Sequence, residues 1–250
     1  MAVVDTSNTS LKALLSSLAS DFDDSPHWLS HNVFRWHHKK VGWLKGRCLA
    51  STDAEQTKRS RLTTEHDLNM LCNPGDHRVR AIYDKNHIHL GFVHWIDGDT
   101  LASQVKQGTI RHRWLRDIER ALERLHHSGF IHGDIKPSNI VIAPKQAHLI
   151  DFSTALPIGK RFKQLPLSVA SPSYSSPQQK TLQGCVCPSD DWYALALTLC
   201  AALKQHPYYP NDTTSLSPSL HYHALQLPKE LPARYHMIIR NKLHAYHTGK

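Results

Sequence analysis

Residues 190–204 form a stretch in which apolar side chains occupy most positions, and this stretch constrains the fold more than any other. Its apolar members include Trp192, Leu195, Leu197, Leu199, Ala201 and Leu203. A helix that is apolar on all sides is buried, either in the centre of a protein or in a membrane. A membrane span needs about 18 apolar residues, and no window of the sequence approaches that length. We therefore predict the buried central helix of a globular unit and no contact with a membrane.

The rest of the chain divides into strand patterns followed by helix patterns. Residues 27–50, 79–84 and 87–96 alternate apolar and polar side chains as strands do, and residues 58–72 have helical spacing. Later, residues 109–127 carry one apolar stripe at a period of 3.6 residues. Strands that precede helices in this way predict an α+β protein with two lobes, a small sheet lobe and a mainly helical one.

Three segments follow from these patterns. Residues 1–26 have a helical pattern that ends in an acidic run, which predicts an N-terminal helix and a linker. Residues 27–98 are predicted to form the small N-terminal lobe, which ends in a hinge. Residues 99–250 are predicted to form the helical C-terminal lobe.

Composition narrows the class of protein further. The 250 residues are 40% hydrophobic, which excludes a disordered chain. The net charge of +9 is spread along the chain and no nucleic-acid-binding motif accompanies it, so we expect no nucleic acid partner. Five cysteines, an odd number, fit a reducing compartment, and the first 20 residues lack the pattern of a signal peptide. We therefore expect a cytoplasmic protein.

Polar clusters at the ends of two short apolar runs carry the chemistry. Asp134 is followed five residues later by Asn139, and Asp151 comes directly after the next apolar run. Two carboxylates and one amide oxygen can surround a hard cation such as Mg²⁺, which bridges phosphate oxygens. Lys136 lies two residues after Asp134, and in an extended loop such side chains project to the same side. The cluster therefore predicts phosphoryl transfer, with the Lys136 cation beside the transferred group.

These residues resemble the motifs of the protein kinase family over residues 33–204. HGDIKPSN resembles the catalytic loop H-R-D-L-K-x-x-N, DFS resembles the DFG metal loop, and SPSYSSPQ resembles the segment that ends in A-P-E. DDWYALA resembles the start of the central helix of the large lobe. The resemblance implies one kinase domain with two lobes.

The resemblance also implies roles for the residues of these motifs. Asp134 would accept or orient the proton of the substrate hydroxyl, and Lys136 would neutralise charge on the γ-phosphoryl group of ATP. Asn139 and Asp151 would hold Mg²⁺. His132 is expected to be structural, packed against the metal loop.

In the small lobe, the resemblance implies the residues that bind ATP. Lys45 resembles the strand lysine that contacts the α- and β-phosphates, with Lys40 as the alternative. Glu65 resembles the helix glutamate that positions this lysine. Val93 would stand at the back of the adenine pocket, and the backbone of His94, Trp95 and Ile96 would bond the base.

The sequence departs from the family at several points. No G-x-G-x-x-G motif occurs, which predicts a reduced N-terminal lobe with a shortened hairpin in residues 32–45 and fewer backbone N–H groups around the phosphates. Gly133 replaces the arginine of H-R-D, Ser153 replaces the glycine of DFG, and Gln178 replaces the glutamate of A-P-E. The region after residue 205 is too short for the full set of C-terminal helices of the family.

We therefore expect a serine/threonine protein kinase that uses ATP and Mg²⁺ and phosphorylates a protein. Two alternatives stay open. Small-molecule kinases for aminoglycosides, choline or sugars share HGD, although they typically lack a lysine at the position of Lys136 and a segment like SPSY. The third possibility is an inactive kinase-fold binding protein, and the retained Asp134, Asn139 and Asp151 argue against it. The sequence does not determine the oligomeric state.

Overall fold

The computed structural model describes residues 9–50, 55–73, 81–85, 88–109, 113–165, 171–207 and 227–248. The chain divides into two compact units between Ile96 and Asp97. This division falls two residues before the boundary predicted from the sequence. The predicted α+β class is confirmed, because the first unit is built on a sheet and the second unit is mainly helical.

The first unit contains a five-stranded antiparallel sheet in the order β1-β2-β3-β5-β4. Its strands are β1 (Phe22–Trp28), β2 (Val33–His38), β3 (Gly42–Ala50), β4 (Ala81–Lys85) and β5 (Ile88–His94). Residues 79–80 and 87 of the predicted strand segments lie outside the described residues. Strands β2 and β3 form an antiparallel hairpin that includes most of the predicted residues 32–45. Strand β1 joins β2 through a turn at residues 29–32.

Strand β1 corrects the predicted linker at the end of residues 1–26. Phe22 is buried and stacks on Trp36, with ring centroids 4.1 Å apart. The indole N–H of Trp36 donates to the backbone carbonyls of Asp23 and Asp24 at 3.0 and 3.2 Å. The acidic side chains are exposed on an edge strand, so their sequence has the composition of a linker although the backbone belongs to the sheet.

Two helices pack on the sheet. Helix α1 (Thr9–Leu18) buries Leu11, Leu14 and Leu18 in a cluster with the sheet residues Phe34, Trp36, Leu44, Cys48, Leu90 and Phe92. Helix α2 (Glu55–Cys72) contacts β5, where its residue Leu62 would lie 3.2 Å from a side chain at Gly91. Gly91 pairs with Arg47. Arg47 is next to Cys48 along β3, so it lies on the face opposite to the one that carries the buried Cys48. Helix α2 therefore covers the face of the sheet that carries Arg47.

The second unit contains five helices among its described residues, together with short strands. In chain order its elements are β6 (Asp99–Thr100), α3 (Leu101–Gln107), α4 (Trp114–His127), β7 (Phe130–Ile131), β8 (Ile140–Ile142), β9 (Ala147–Leu149), β10 (Leu156–Pro157), α5 (Pro177–Thr181), α6 (Pro188–Ala202) and α7 (Ala233–Thr248). Strands β6, β8 and β9 form one sheet, and β7 pairs with β10. The predicted helix over residues 109–127 begins at Trp114, and residues 110–112 lie outside the described part.

Helix α6 has the burial that its sequence predicts, since Tyr193, Leu195, Leu197 and Cys200 are fully buried. No helix among the described residues is both long and apolar enough to cross a membrane. Helix α7 was not predicted. Its buried residues Tyr235, Ile239 and Leu243 recur every fourth position, but the intervening charged and histidine residues dilute this stripe.

Candidate active site

The loop at residues 132–139 joins β7 to β8, and a single buried carboxylate fixes the start of its backbone. Asp191 of α6 is 1% exposed. Its Oδ2 accepts the His132 N–H at 2.8 Å and its Oδ1 accepts the Gly133 N–H at 3.0 Å. The Nε2 atom of His126 lies 2.9 Å from the same Oδ2. The position of the loop therefore depends on α6.

His132 connects this loop to the segment that follows β9. Its Nε2 lies 3.0 Å from the Ile150 carbonyl, which can only accept a hydrogen bond. Its Nδ1 lies 3.3 Å from the Asp134 backbone N–H, which can only donate. This pattern assigns the proton to Nε2. The ring also packs edge-on against Phe152, with centroids 5.0 Å apart, in agreement with its predicted packing role.

Asp134 presents two carboxylate oxygens in different environments. Oδ2 accepts hydrogen bonds from Lys136 Nζ at 2.8 Å and from Asn139 Nδ2 at 3.1 Å. Oδ1 is buried and has no hydrogen-bond partner among the residues that the structure describes. A buried oxygen without a partner is costly, and this one can accept a proton from a bound hydroxyl group.

Lys136 reaches Asp134 because its backbone is extended, with φ −162° and ψ 164°. Its Nζ also donates to the Ser171 hydroxyl at 2.7 Å. The ammonium group has three hydrogens, so one remains for a further acceptor. Lys136 thus links Asp134 to the segment beginning at residue 171.

Asn139 and Asp151 are the predicted magnesium ligands. Asn139 Nδ2 donates to both the backbone carbonyl and Oδ2 of Asp134, at 2.8 and 3.1 Å, so its amide oxygen faces away from Asp134. The Asn139 carbonyl accepts the Ile150 N–H at 3.0 Å, which ties the loop to the residue before Asp151. Asp151 has left-handed backbone angles, and its Oδ1 accepts the Ser153 hydroxyl at 2.7 Å. Amide and carboxylate oxygens are the donors that Mg²⁺ prefers, so these residues fit the ion.

The backbone geometry at Gly133 explains why a larger residue is absent from this position. Its φ is +78°, and a Cβ atom there would lie 2.7 Å from the Thr154 carbonyl oxygen. The Thr154 hydroxyl in turn donates to the His132 carbonyl at 3.2 Å. The loop and the segment after Asp151 approach so closely that only glycine fits.

We expect Gly133→Ala to destabilise the protein more than Gly129→Ala. Both glycines have positive φ, but nothing lies within 4 Å of a Cβ at Gly129. The left-handed conformation costs about 1–2 kcal/mol in either variant, and the clash at Gly133 adds about 1–3 kcal/mol. Urea unfolding of the two variants measures the difference, and equal losses of stability would contradict the predicted clash.

In the first unit, Lys45 and Glu65 line one small cavity together with Arg47 and Val93. Lys45 pairs with Val93 across β3 and β5. The Glu65 carboxylate lies 3.5 Å from Arg47 Nε, and both side chains are largely buried. Arg47 was not predicted as part of this site, although strand alternation places it two residues after Lys45 on the same face. Lys40 instead is exposed in the β2–β3 turn, which favours Lys45 as the phosphate ligand.

The predicted hinge residues follow β5. The Trp95 N–H donates to the Trp43 carbonyl at 2.9 Å, and the Trp95 carbonyl lies 3.1 Å from His94 Nδ1. The sheet therefore uses the Trp95 N–H, and the binding of a base by the backbone of residues 94–96 stays a prediction. His94 lies next to this hydrogen-bonded residue and pairs with Leu44. In an antiparallel pair, hydrogen-bonded and non-hydrogen-bonded positions alternate, so the backbone N–H and carbonyl of His94 point away from β3.

The family comparison agrees with this arrangement. Residues 49–243, most of the chain, match the protein kinase domain. The chain belongs to the protein kinase family. The resemblance seen in the sequence motifs is thereby confirmed.

Individual kinases match parts of this kinase domain. Serine/threonine-protein kinase AfsK of Streptomyces griseus is 33% identical over 96 residues, which are 38% of this chain and 12% of the relative. Myotonin-protein kinase of Mus musculus is 29% identical over 167 residues, 59% of this chain and 26% of the relative. Rho-associated protein kinase let-502 of Caenorhabditis briggsae is 26% identical over 163 residues, 60% of this chain and 14% of the relative. The matched region is thus about a quarter or less of each relative's length.

The kinase domain contains further buried polar contacts around α5 and α6 that were not predicted from the sequence. Gln179 Nε2 donates to the Gly133 carbonyl at 2.7 Å. Asp190 Oδ1 accepts the Ser176 hydroxyl at 2.6 Å and lies 2.6 Å from Nζ of the buried Lys242 on α7. The sequence does contain an indication of these contacts. Asp190 and Asp191 stand at the start of an apolar helix, and carboxylates that are buried need partners.

His206 lies beyond α6 in the kinase domain and packs edge-on against Tyr174, with ring centroids 5.1 Å apart. Burial, followed by the charge of Lys180, lowers the pKa of His206 to about 4, while a hydrogen bond with the Ser173 backbone acts in the opposite direction. The unfolded chain therefore binds a proton at a higher pH than the folded protein does.

We expect the folded protein to lose about 3 kcal/mol of stability through His206 as the pH falls from 6.5 to 4, since one pKa unit corresponds to about 1.4 kcal/mol. The contribution is fully present above pH 6.5. Urea unfolding from pH 7.5 to 4.5 should therefore show a flatter dependence for His206→Gln than for the wild type. Parallel curves for the two proteins would contradict the assignment.

Proposed function

We propose that this kinase domain transfers the γ-phosphoryl group of ATP to a serine or threonine hydroxyl of a protein, with Mg²⁺. The observation that carries the proposal is the Asp134 carboxylate. One of its oxygens is held by Lys136 and Asn139, and the other is buried without a partner among the described residues. A base built in this way is oriented by one oxygen and reactive at the other.

The proposed reaction assigns a task to each residue of the loop. The acceptor hydroxyl oxygen forms a bond to the γ-phosphorus, the bond to the β–γ bridging oxygen breaks, and ADP leaves. Asp134 Oδ1 orients the hydroxyl and accepts its proton, and Lys136 stabilises charge on the transferred group. Asn139 and Asp151 would hold Mg²⁺, which neutralises charge on the phosphate oxygens when it is bound.

In the first unit, ATP contacts the face of the sheet that α2 covers. Lys45 contacts the α- and β-phosphates, and Glu65 positions it as a member of a cluster that includes Arg47. Val93 stands at the back of the base, and the backbone of His94 and Ile96 bonds its edge.

A protein substrate is favoured over a small molecule by the segment that begins at Ser171. Its hydroxyl is bound to Lys136, and its residue Gln179 supports the loop at Gly133. The relatives named above are serine/threonine- and other protein kinases. A cytoplasmic location belongs to the proposal as well, since all five cysteines are free thiols.

An assay with γ-labelled ATP and Mg²⁺ tests the proposal. Purified protein is incubated with generic basic and acidic proteins, and in parallel with choline, an aminoglycoside and a hexose. Label on serine or threonine of a protein supports the proposed function. Label on a small molecule alone would identify the domain as a small-molecule kinase. ATP binding without any label would identify it as an inactive kinase-fold binding protein.

A further inference from the structure

Arg35 on β2 is a cation that has no partner of opposite charge among the described residues. Its direct cross-strand neighbours are His27 on β1 and Lys45 on β3. The guanidinium carbon lies 5.0 Å from the ring centre of Trp43 and 5.8 Å from that of Trp95. In the part of the chain that the structure describes, Arg35 makes no salt bridge and its guanidinium donates no hydrogen bond.

The neighbouring side chains do not compensate the charge of Arg35. Another cation, Lys45, occupies the directly opposite position on β3, and like charges placed in this way repel each other. The nearby acid Asp23 is bound to His37 instead, with Nδ1 and Oδ2 2.7 Å apart. An anion at this position would therefore neutralise the Arg35 guanidinium.

The β1–β2 turn explains why an anion needs this charge. In this turn the backbone N–H groups of Leu29 and Ser30 both donate to the Val33 carbonyl, at 2.8 and 3.0 Å. The Ser30 hydroxyl donates to Asn32 Oδ1 at 3.3 Å. These N–H groups therefore donate within the turn, whereas the N–H groups of a glycine-rich turn would be available to bind phosphates.

The positions of Trp43 and Lys45 indicate where the anion lies. Trp43 bonds the hinge through its carbonyl, and Lys45 follows two residues later on the same face, about 6.6 Å along the strand. A nucleotide with its base at the hinge and its phosphates at Lys45 therefore extends past Trp43, within reach of Arg35.

We infer that Arg35 binds the phosphates of the nucleotide and replaces the missing glycine-rich turn. The inference rests on the proposed function, because it takes the hinge and Lys45 as the two ends of the nucleotide. A guanidinium group presents paired N–H donors that match phosphate oxygens. The two indole faces hold the guanidinium in place before the nucleotide arrives.

The test compares the binding of ATP and adenosine to three variants by calorimetry. We expect Arg35→Gln to weaken ATP binding about 10- to 100-fold and to change adenosine binding by less than about twofold. Arg35→Lys should fall between Arg35→Gln and the wild type, because it keeps the charge but loses the paired donors. Lys40→Gln removes one exposed cation from the adjacent turn and should leave both affinities unchanged.

The outcomes separate the two proposals. A wild-type protein that binds no ATP overturns the proposed function. If the wild type binds ATP and Arg35→Gln binds it equally well, the role of Arg35 alone is overturned. Equal losses for ATP and adenosine overturn it too, since they mean that Arg35 supports only the base through the indoles. Thermal unfolding of Arg35→Gln and Arg35→Lys checks that each variant is folded.

Discussion

Asp134→Asn should reduce the rate of phosphoryl transfer by about 10²- to 10⁴-fold, the range that a positioned general base contributes. The amide cannot accept the hydroxyl proton in the way that the carboxylate does. The fold should survive because both donors to Oδ2 keep a second partner. Lys136 keeps the Ser171 hydroxyl at 2.7 Å, and Asn139 keeps the Asp134 carbonyl at 2.8 Å.

The measurement is initial rate at saturating ATP, with thermal unfolding and ATP affinity determined on the same samples. Ser138→Ala is the matched control, because Ser138 is an exposed residue of the same loop, and it should keep full activity. Activity of Asp134→Asn within about tenfold of the wild type, in a folded protein, would contradict the assignment of Asp134 as the base.

Asp191→Ala should lower the free energy of unfolding by about 3–5 kcal/mol, the cost of breaking a buried charged network. Its removal leaves the backbone N–H groups of His132 and Gly133 without their acceptor, at a position where the carboxylate is 1% exposed. His126 loses its partner as well. We expect the loss of phosphoryl transfer along with the loss of stability, because Asp191 holds the loop that carries Asp134.

Urea unfolding at pH 7 measures this loss. Glu230→Ala is the control, because it removes an exposed acid from the same unit, and it should change stability by less than about 0.5 kcal/mol. If Asp191→Ala also changed stability by less than about 1 kcal/mol, the carboxylate would not be the anchor of the loop.

The two-unit α+β fold could be predicted from the sequence where burial is strong and regular. The apolar residues of 190–204 predict a buried helix, and α6 is one. The buried stripe of α7 and the strand at Asp23 and Asp24 were missed. In both places, polar side chains point to solvent and obscure a backbone that packing with distant residues fixes.

For the candidate site, the sequence indicated the residues to which we assign the chemistry, and it did not indicate the residues that hold them in place. Spacing alone places Lys136 beside Asp134, and the two side chains meet at 2.8 Å. It could not pair Glu65 with Arg47 or Gly133 with Asp191, because such contacts join segments whose distance in space depends on the whole fold. The catalytic roles of Asp134 and Lys136 stay predictions.

The anchoring of the loop by Asp191 also sets the order in which the protein acquires its site during folding. Asp191 lies 59 residues from His132 and 58 from Gly133 along the chain, so these bonds form only after a long loop has closed. A nascent chain that ends before α6 contains the motifs HGDIKPSN and DFS but lacks the carboxylate that shapes the loop. The loop at residues 132–139 therefore takes its final shape late in folding, when the most apolar helix of the chain docks.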